Sequence, residues 1–518
     1  MASVVVPLLL HNIPNQHSQP MFSSRSTHHK SKLFFLSKNT NNSPVLFLKR
    51  SSSLSRSSTL DELKEEERDT EEEDEEEELE PPPLSEVWRE IQGENNWEGL
   101  LDPMDSNLRK EIIRYGELAQ ACYDSFDFDP HSKYCGTCKY HPSHFFEKLD
   151  MPDCSGYTIS RYLYATSDIN LPNFFQKSKI SDVWSTHANW MGYIAVATDE
   201  QEIKRLGRRD IVIAWRGTVT YIEWIYDLKD ILHEANFKND PTIKVESGFH
   251  ELYTKKEDSC NYCSFSAREQ VLSEIKRLIE YYEEEELSIT ITGHSLGAAL
   301  AILSAYDIAE LKLNVVKDGD QTTTIPVTVY SFAGPRVGNL RFKERCEELG
   351  VKVLRILNVH DMVPTVPGFI TNEKFQFQRY IDKLSFPWSY AHVGSEIKLD
   401  HRESPFLKEN GDMGCAHNLE VLLHLMDGYH GKGKTFNLVS KRDIALVNKS
   451  CNLLRGEYGV PPYWRQDENK GMIRSNDGKW VVPERPRLEA HPPHTAHHLQ
   501  LVLKNHILVN GTFQSRTT

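Results

Sequence analysis

The sequence predicts an α/β fold built on a mostly parallel central sheet flanked by helices. Short β-branched runs recur at 211–215, 287–292, 325–332 and 351–358. Helical apolar spacing separates the later runs, the pattern of βαβ units and a parallel sheet. The run Ile211-Val-Ile-Ala-Trp215 is apolar on consecutive residues, as a strand buried on both faces requires.

The N-terminal end stands apart. Residues 1–60 carry seven Lys/Arg, no Asp or Glu, abundant Ser and Asn, and only short apolar bursts. That is the composition of an organellar transit peptide, and the serine content favours a plastid, so the expected location is the chloroplast. A disordered cytosolic terminus is the alternative. Residues 61–83 combine an acidic run (fifteen acids against two bases over 61–80) with Pro81-Pro82-Pro83, and they read as a solvated linker. These two segments leave −9 of the overall −15 charge for residues 81–518. The remaining surface is thus only mildly acidic, without the basic stripe of a nucleic-acid binder. No 18-residue apolar run marks a membrane span.

The folded domain is expected over residues 84–450, with an N-terminal helical part and an extension and tail over 451–518. Residues 106–126 place Leu108, Ile112, Ile113, Leu118 and Ala119 at helical spacing. Tyr193–Ala197 precedes 211–215 as a further strand. Ser266-Ala-Arg-Glu269 is a capping-box pattern opening a helix through Val271, Ile275 and Ile279. Helices then follow from Ser295, near Asn339–Leu349, and from Asn418 to about Leu425. The tail ends in a His-rich stretch, His491–His498.

The chemistry concentrates where the strand at 287–292 becomes a helix. Gly293-His294-Ser295-Leu296-Gly297 fits G-x-S-x-G in the strand-turn-helix context that motif needs. Ser295 sits on a sharp turn, and side chains at Gly293 or Gly297 would collide with neighbouring backbone. The helix N-terminus behind it favours developing negative charge. A serine hydroxyl needs a base, and the base needs an orienting carboxylate. Asp361 lies in the loop leaving the strand 351–358, where the acid is expected; otherwise it is a turn-capping aspartate before Pro364. For the base, His417 precedes a helix in a loop position, His392 is its main competitor, and His424 reads as a core residue.

The stretches "AWRGTVTYIEWIYDL", "VESGFHELY", "ITGHSLGAALA", "SFAGPRVGN", "NVHDMVPTVPG" and "CAHNLEVLLHLMDGYHG" resemble the class 3 (fungal triacylglycerol lipase-like) α/β-hydrolases. The plant branch of chloroplast class I phospholipase A1 enzymes is closer still. The acid-rich run and "PLSEVWREIQGENNWEGLLDPMD" resemble its gamma subgroup. The resemblance implies Ser295 as nucleophile, Asp361 as orienting acid and His417 as general base, with His392 not the base. It implies Thr218 and the Leu296 N–H as oxyanion donors, and a lid at Tyr221–Leu228, a segment whose spacing also permits a core-packed helix. The implied reaction is hydrolysis of the sn-1 acyl ester of phosphatidylcholine, with galactolipid and triacylglycerol as additional membrane-lipid substrates met at an interface.

The triad mechanism requires no metal or other cofactor. Cys135-x-x-Cys138 and Cys260-x-x-Cys263 formally allow a four-thiolate zinc site, but 122 positions separate the pairs, and loop thiols or a disulfide fit them better. Two rival functions remain at this level: an esterase on small soluble esters, and a non-catalytic ligand-binding protein of the same fold.

Overall fold

The computed structural model describes residues 81–481 apart from 170–174, 176, 180–182, 220–231, 236–239, 319–320, 369–389 and 466–472. The expected transit segment, most of the acidic linker, the lid segment and the His-rich stretch lie outside the described residues.

Helix α1 (Leu84–Ile91) begins directly after the three prolines and buries Leu84, Trp88 and Ile91, one stripe at helical spacing. Helix α2 (Ser106–Asp124) starts where the Asp105 carboxylate accepts the Leu108 N–H at 2.8 Å. Seven strands then form one sheet whose spatial order is also the sequence order. They are β1 (Tyr157–Thr166), β2 (Ala188–Ala197), β3 (Arg209–Trp215), β4 (Leu287–His294), β5 (Val327–Phe332), β6 (Lys352–Asn358) and β7 (Ser395–Leu399). β1 and β2 pair antiparallel, as do β2 and β3; every pairing from β3 to β7 is parallel. Helices α3 (Ala267–Tyr281), α4 (Leu296–Glu310) and α5 (Leu340–Glu348) make the crossovers between the parallel strands from β3 to β6, and α6 (Leu419–Gly428) follows β7.

Strand periodicity sorts the core into two layers. Ile211, Ile213 and Trp215 of β3 join Ile289, Ile291, Val327 and Val329 in a cluster with α3 and α4. Val212 and Ala214 point the other way with Tyr330, Phe332, Leu354 and Ile356, against α2 and α6. Every residue of α4 is buried, which accounts for its near-continuous small and apolar composition. The Ser266 capping box that opens α3 is formed, side chain and backbone each bonding the other.

Two strands of this seven-stranded sheet escape the sequence reading, and both are at its edges. β1 carries exposed or half-buried Thr158 and Ser160, and β7 alternates buried Ile397 and Leu399 with exposed Glu396 and Lys398. Exposed positions dilute the apolar signal in β7, and in β1, buried at eight of ten positions, Thr158, Ser160 and Arg161 interrupt it. β2 extends back to Ala188 through Asn189 and Trp190, farther than its apolar run suggests.

At the amino ends of β3 and β4 the core is charged. Asp210, fully buried, accepts hydrogen bonds from Thr290 Oγ1 (2.7 Å), Ser288 Oγ (2.8 Å), Tyr115 OH (2.8 Å) and Tyr157 OH (2.9 Å). Burial pushes its carboxyl upward, but the Arg208 and Arg114 guanidinia and the hydroxyl donors outweigh that, leaving it below its ordinary value. Arg114 in turn binds Glu111 and Tyr157, tying α2 to β1 and β3.

Cys260 and Cys263 form a disulfide, whereas Cys135 and Cys138 are buried thiols outside any disulfide. A four-thiolate zinc site is therefore not assembled, because two of its sulfurs are bonded to each other. Among the described residues no helix is long and apolar enough to cross a membrane.

Candidate active site

The turn between β4 and α4 holds Ser295 at φ 61°, ψ −127°. This backbone conformation is rare for a residue with a side chain and costs about 1–3 kcal/mol. The two glycines make it possible. A Cβ on Gly293 would overlap the Gly297 carbonyl, and one on Gly297 would overlap the Trp215 carbonyl. Ser295 N–H donates to Phe332 O at 2.9 Å, fixing the elbow against β5. Ser295 Oγ is buried and has no hydrogen-bond partner among the described residues. An unpaired buried hydroxyl is costly, so its persistence at a strained position marks a site rather than a packing solution.

The acid and the imidazole meet from two different loops. Asp361 follows β6, its N–H donating to Asn358 O at 3.0 Å, while its Oδ1 accepts the Val363 N–H at 2.9 Å. Its Oδ2 lies 2.7 Å from His417 Nδ1, a buried N–H···carboxylate bond. His417 occupies the junction between a short helix, Met413–Ala416, and α6, whose cap residue Asn418 accepts the Glu420 and Val421 N–H groups. With Nδ1 committed to Asp361, His417 Nε2 carries the lone pair, and that atom too is buried without a partner among the described residues.

The competing histidines are otherwise engaged. His392 Nε2 lies 2.7 Å from Pro364 O and braces the loop after Asp361. His424 is buried in α6 with Nε2 2.9 Å from Ser404 Oγ, and burial pulls its pKa down to about 4, as suits a core residue.

One bracing contact is illegible in the sequence. His294, beside the nucleophile position, places Nε2 2.7 Å from the His417 carbonyl and Nδ1 2.8 Å from Tyr123 OH. Burial, together with the neighbouring His417, drives the His294 pKa well below its ordinary value, so the ring is neutral. It then donates from Nε2 to the carbonyl and accepts from the tyrosine at Nδ1. The His294 and His417 ring centroids are 4.5 Å apart, so the imidazole that pairs with Asp361 is held one residue from Ser295. Tyr123 arrives from the end of α2, 171 positions upstream, and no local pattern announces it.

Two residues expected to stabilise an oxyanion flank this arrangement. Leu296 is the first residue of α4, where backbone N–H groups lack intrahelical partners. Thr218 is half-buried and borders a cavity of about 420 Å³ together with His294, His417 and Tyr123. The loop bearing Thr218 is pinned by Arg216, whose Nε donates to Trp190 O at 3.0 Å and Nη1 to Gly217 O at 2.7 Å. Its guanidinium lies 4.0 Å over the Phe126 ring, and burial draws its pKa down to about 10. Tyr463 is exposed at this cavity; Val359 and Met362, either side of Asp361 in sequence, and Met413, which opens the short helix before His417, are 46%, 43% and 48% exposed.

The family described as Lipase (class 3) matches residues 212–371, a span that takes in Ser295 and Asp361. The chain is 73% identical over 430 residues to Phospholipase A1-Igamma3, chloroplastic, of Arabidopsis thaliana, covering 81% of each. Phospholipase A1-Igamma2, chloroplastic, of the same plant is 58% identical over 431 residues, covering 82% of this chain and 81% of its own. Galactolipase DONGLE, chloroplastic, also from Arabidopsis thaliana, is 48% identical over 351 residues, 67% of this chain and 70% of its own. With this identity and coverage to the gamma enzymes and a class 3 lipase match, the chain belongs to the chloroplast class I phospholipase A1 family.

Proposed function

We propose that this protein is a chloroplast serine acyl hydrolase that releases the sn-1 fatty acid of phosphatidylcholine, and that also accepts galactolipid and triacylglycerol. The observation that carries the reading is the pair of orphaned buried atoms, Ser295 Oγ and His417 Nε2, with His417 Nδ1 bonded to Asp361. Ser295 attacks the ester carbonyl while His417 Nε2 accepts its proton. Asp361 holds the ring and stabilises the imidazolium. The oxyanion collects hydrogen bonds from the Leu296 N–H and from Thr218, each such donor contributing about 3–4 kcal/mol where it has been removed elsewhere. Collapse expels the lyso-lipid alkoxide, which takes the proton from His417 and leaves an acyl-Ser295 ester. Water repeats the sequence and frees the fatty acid. In this reading the hydroxyl–imidazole hydrogen bond forms when substrate is bound, as catalytic hydrogen bonds commonly do.

Lipid rather than a small soluble ester is supported by the exposed apolar side chains near the triad residues in sequence, Val359 and Met362 beside Asp361 and Met413 before His417, together with Tyr463 at the cavity. The relatives named as phospholipase A1 and galactolipase support both head-group classes. Residues 1–60 act as the plastid import signal in this reading, and Tyr221–Leu228 as a lid.

The test is a fluorophosphonate, which a serine activated by its histidine displaces fluoride from. It labels the wild type at Ser295 with loss of acyl release, and His417→Ala stays unlabelled. Labelling of His417→Ala at the wild-type rate, with His392→Ala silent, would move the base to His392. Position-labelled phosphatidylcholine and galactolipid then report the bond cut; exclusive hydrolysis of dispersed short-chain esters would exclude the lipid reading. A fluorescent reporter carrying residues 1–60 should enter plastids, and a cytosolic signal would reject the import role.

A further inference from the structure

Strands β6 and β7 run parallel and stay paired to their last residues, Asn358 opposite Leu399, with Val359 N–H donating to Leu399 O at 2.9 Å. The residues that follow each strand therefore emerge side by side. From β6 comes His360; from β7 come Asp400 and His401. One ligand-capable atom from each of these three side chains falls within a mutual 4.8 Å. The triad chemistry uses none of the three.

Their partners fit ligands awaiting an ion. His401 Nε2 lies 3.2 Å from Glu409 O, so its N–H donates to a backbone carbonyl and the lone pair sits on Nδ1. Metal-bound histidines are usually held in this way. Nδ1 faces the Asn358 side-chain amide, with Nδ2 at 3.2 Å and Oδ1 at 3.4 Å, so an ion at Nδ1 replaces the bond that Asn358 Nδ2 donates there. His360 Nε2–H donates to Asp400 Oδ1 at 2.9 Å, a proton that an ion would displace, while the same oxygen accepts the Arg402 N–H at 2.9 Å. The two imidazoles meet edge to face, centroids 4.7 Å apart and planes at 73°, an arrangement that lets lone pairs converge where stacking would prevent it. In a tetrahedral site with bonds of about 2.1 Å, ligand atoms sit roughly 3.4 Å apart, so the His360–Asp400 pair opens by about 0.5 Å to admit an ion. His360 and Asp400 are part-exposed, which gives the ion an entry path and a fourth, solvent-filled position.

We propose that His360, Asp400 and His401 form a divalent metal site, with zinc its best-fitting occupant, which clamps the loops leaving β6 and β7. Two imidazoles and one carboxylate are a borderline donor set; calcium and magnesium prefer all-oxygen shells. The clamp lies one residue from Asp361, so its effect is on the rigidity of the loop that carries the acid.

Cobalt(II) and zinc titrations of the full chain test this, against the variants Asp400→Asn and His401→Gln. Asparagine retains the acceptor oxygen for the Arg402 N–H, so Asp400→Asn keeps the local turn even if the buried His401 change does not fold. The wild type should bind one more equivalent of zinc than Asp400→Asn, or bind it on the order of 100-fold more tightly. Its cobalt spectrum should show visible ligand-field bands lost in that variant. The histidines at 491–498 and the thiols of Cys135 and Cys138 are common to all variants and cancel in the difference; a thiolate site would add a sulfur-to-cobalt charge-transfer band. Identical zinc stoichiometry and affinity in wild type and Asp400→Asn would overturn the proposal. Fluorophosphonate labelling of Ser295 in the metal-free protein would leave the hydrolase reading standing if the metal site failed.

Discussion

The two ends of β3 and β4 are built on opposite terms. At the amino ends, Asp210 meets four hydroxyl donors and two guanidinia. At the carboxyl end of β4, about 20 Å away by strand rise, Ser295 Oγ and His417 Nε2 are buried with no partner among the described residues. Both ends cost desolvation. Only the first recovers it within the protein. Polar burial that is paid back fixes α2 and β1 to the sheet, whereas polar burial left open is available to a reacting molecule.

This contrast breaks most visibly at Ser295. Ser295→Ala should lower kcat for acyl release by on the order of 10⁶-fold, leaving roughly 10³-fold over water, while the melting temperature stays level or rises because an unpaired hydroxyl is gone. A comparable loss of stability would mean that the hydroxyl is structural. Asp361→Asn should cost about 10⁴-fold in kcat, since the amide favours the wrong imidazole tautomer; this is checked by steady-state rates on micellar phosphatidylcholine. Asp210→Ala tests the opposite end. It strands Arg208 and Arg114, so urea unfolding should show about 3–5 kcal/mol of lost stability, with activity per folded molecule unchanged.

The same carboxylate gives a pH signature. Its folded pKa is depressed, so its stabilisation is complete above the unfolded value of 3.8 and is lost as pH falls through the folded value. Asp210→Asn should flatten acid unfolding in that window, measured by circular dichroism. Tyr123→Phe is the smallest expected effect. It removes one hydrogen bond to His294, costing about 1 kcal/mol, and should reduce kcat roughly tenfold by loosening His417 while leaving KM near its wild-type value. A change in KM alone would assign Tyr123 to substrate binding.

These regions also differed in how far the sequence exposed them. The central strands and the elbow were legible because both faces of β3 to β5 are buried and the glycines flanking Ser295 answer a local steric demand. Asp361 was placed by its position at a strand end. The edge strands β1 and β7 escape a search for apolar runs because polar residues interrupt both, exposed in β7 and in part buried in β1. The Tyr123–His294 brace and the Asp210 network were missed because their partners are far apart in sequence, and the choice between His392 and His417 turns on which ring reaches Asp361. A one-dimensional pattern encodes periodicity and turns; it does not encode which distant hydroxyl meets which ring.

His417 sits just ahead of α6, and the first turn of that helix is held by the chain that comes later. Lys449 Nζ lies 2.7 Å from Asp124 Oδ2 and 3.4 Å from Glu420 Oε1, and Arg465 Nη1 lies 3.0 Å from Asp124 Oδ1. Cys451, Leu453 and Leu454 are buried beside them, with Lys408 N–H donating to Leu453 O at 2.8 Å. A proteolytic nick or an early stop codon near residue 440 would therefore spare every reacting atom yet release the imidazole from its seat, silencing the enzyme from a distance.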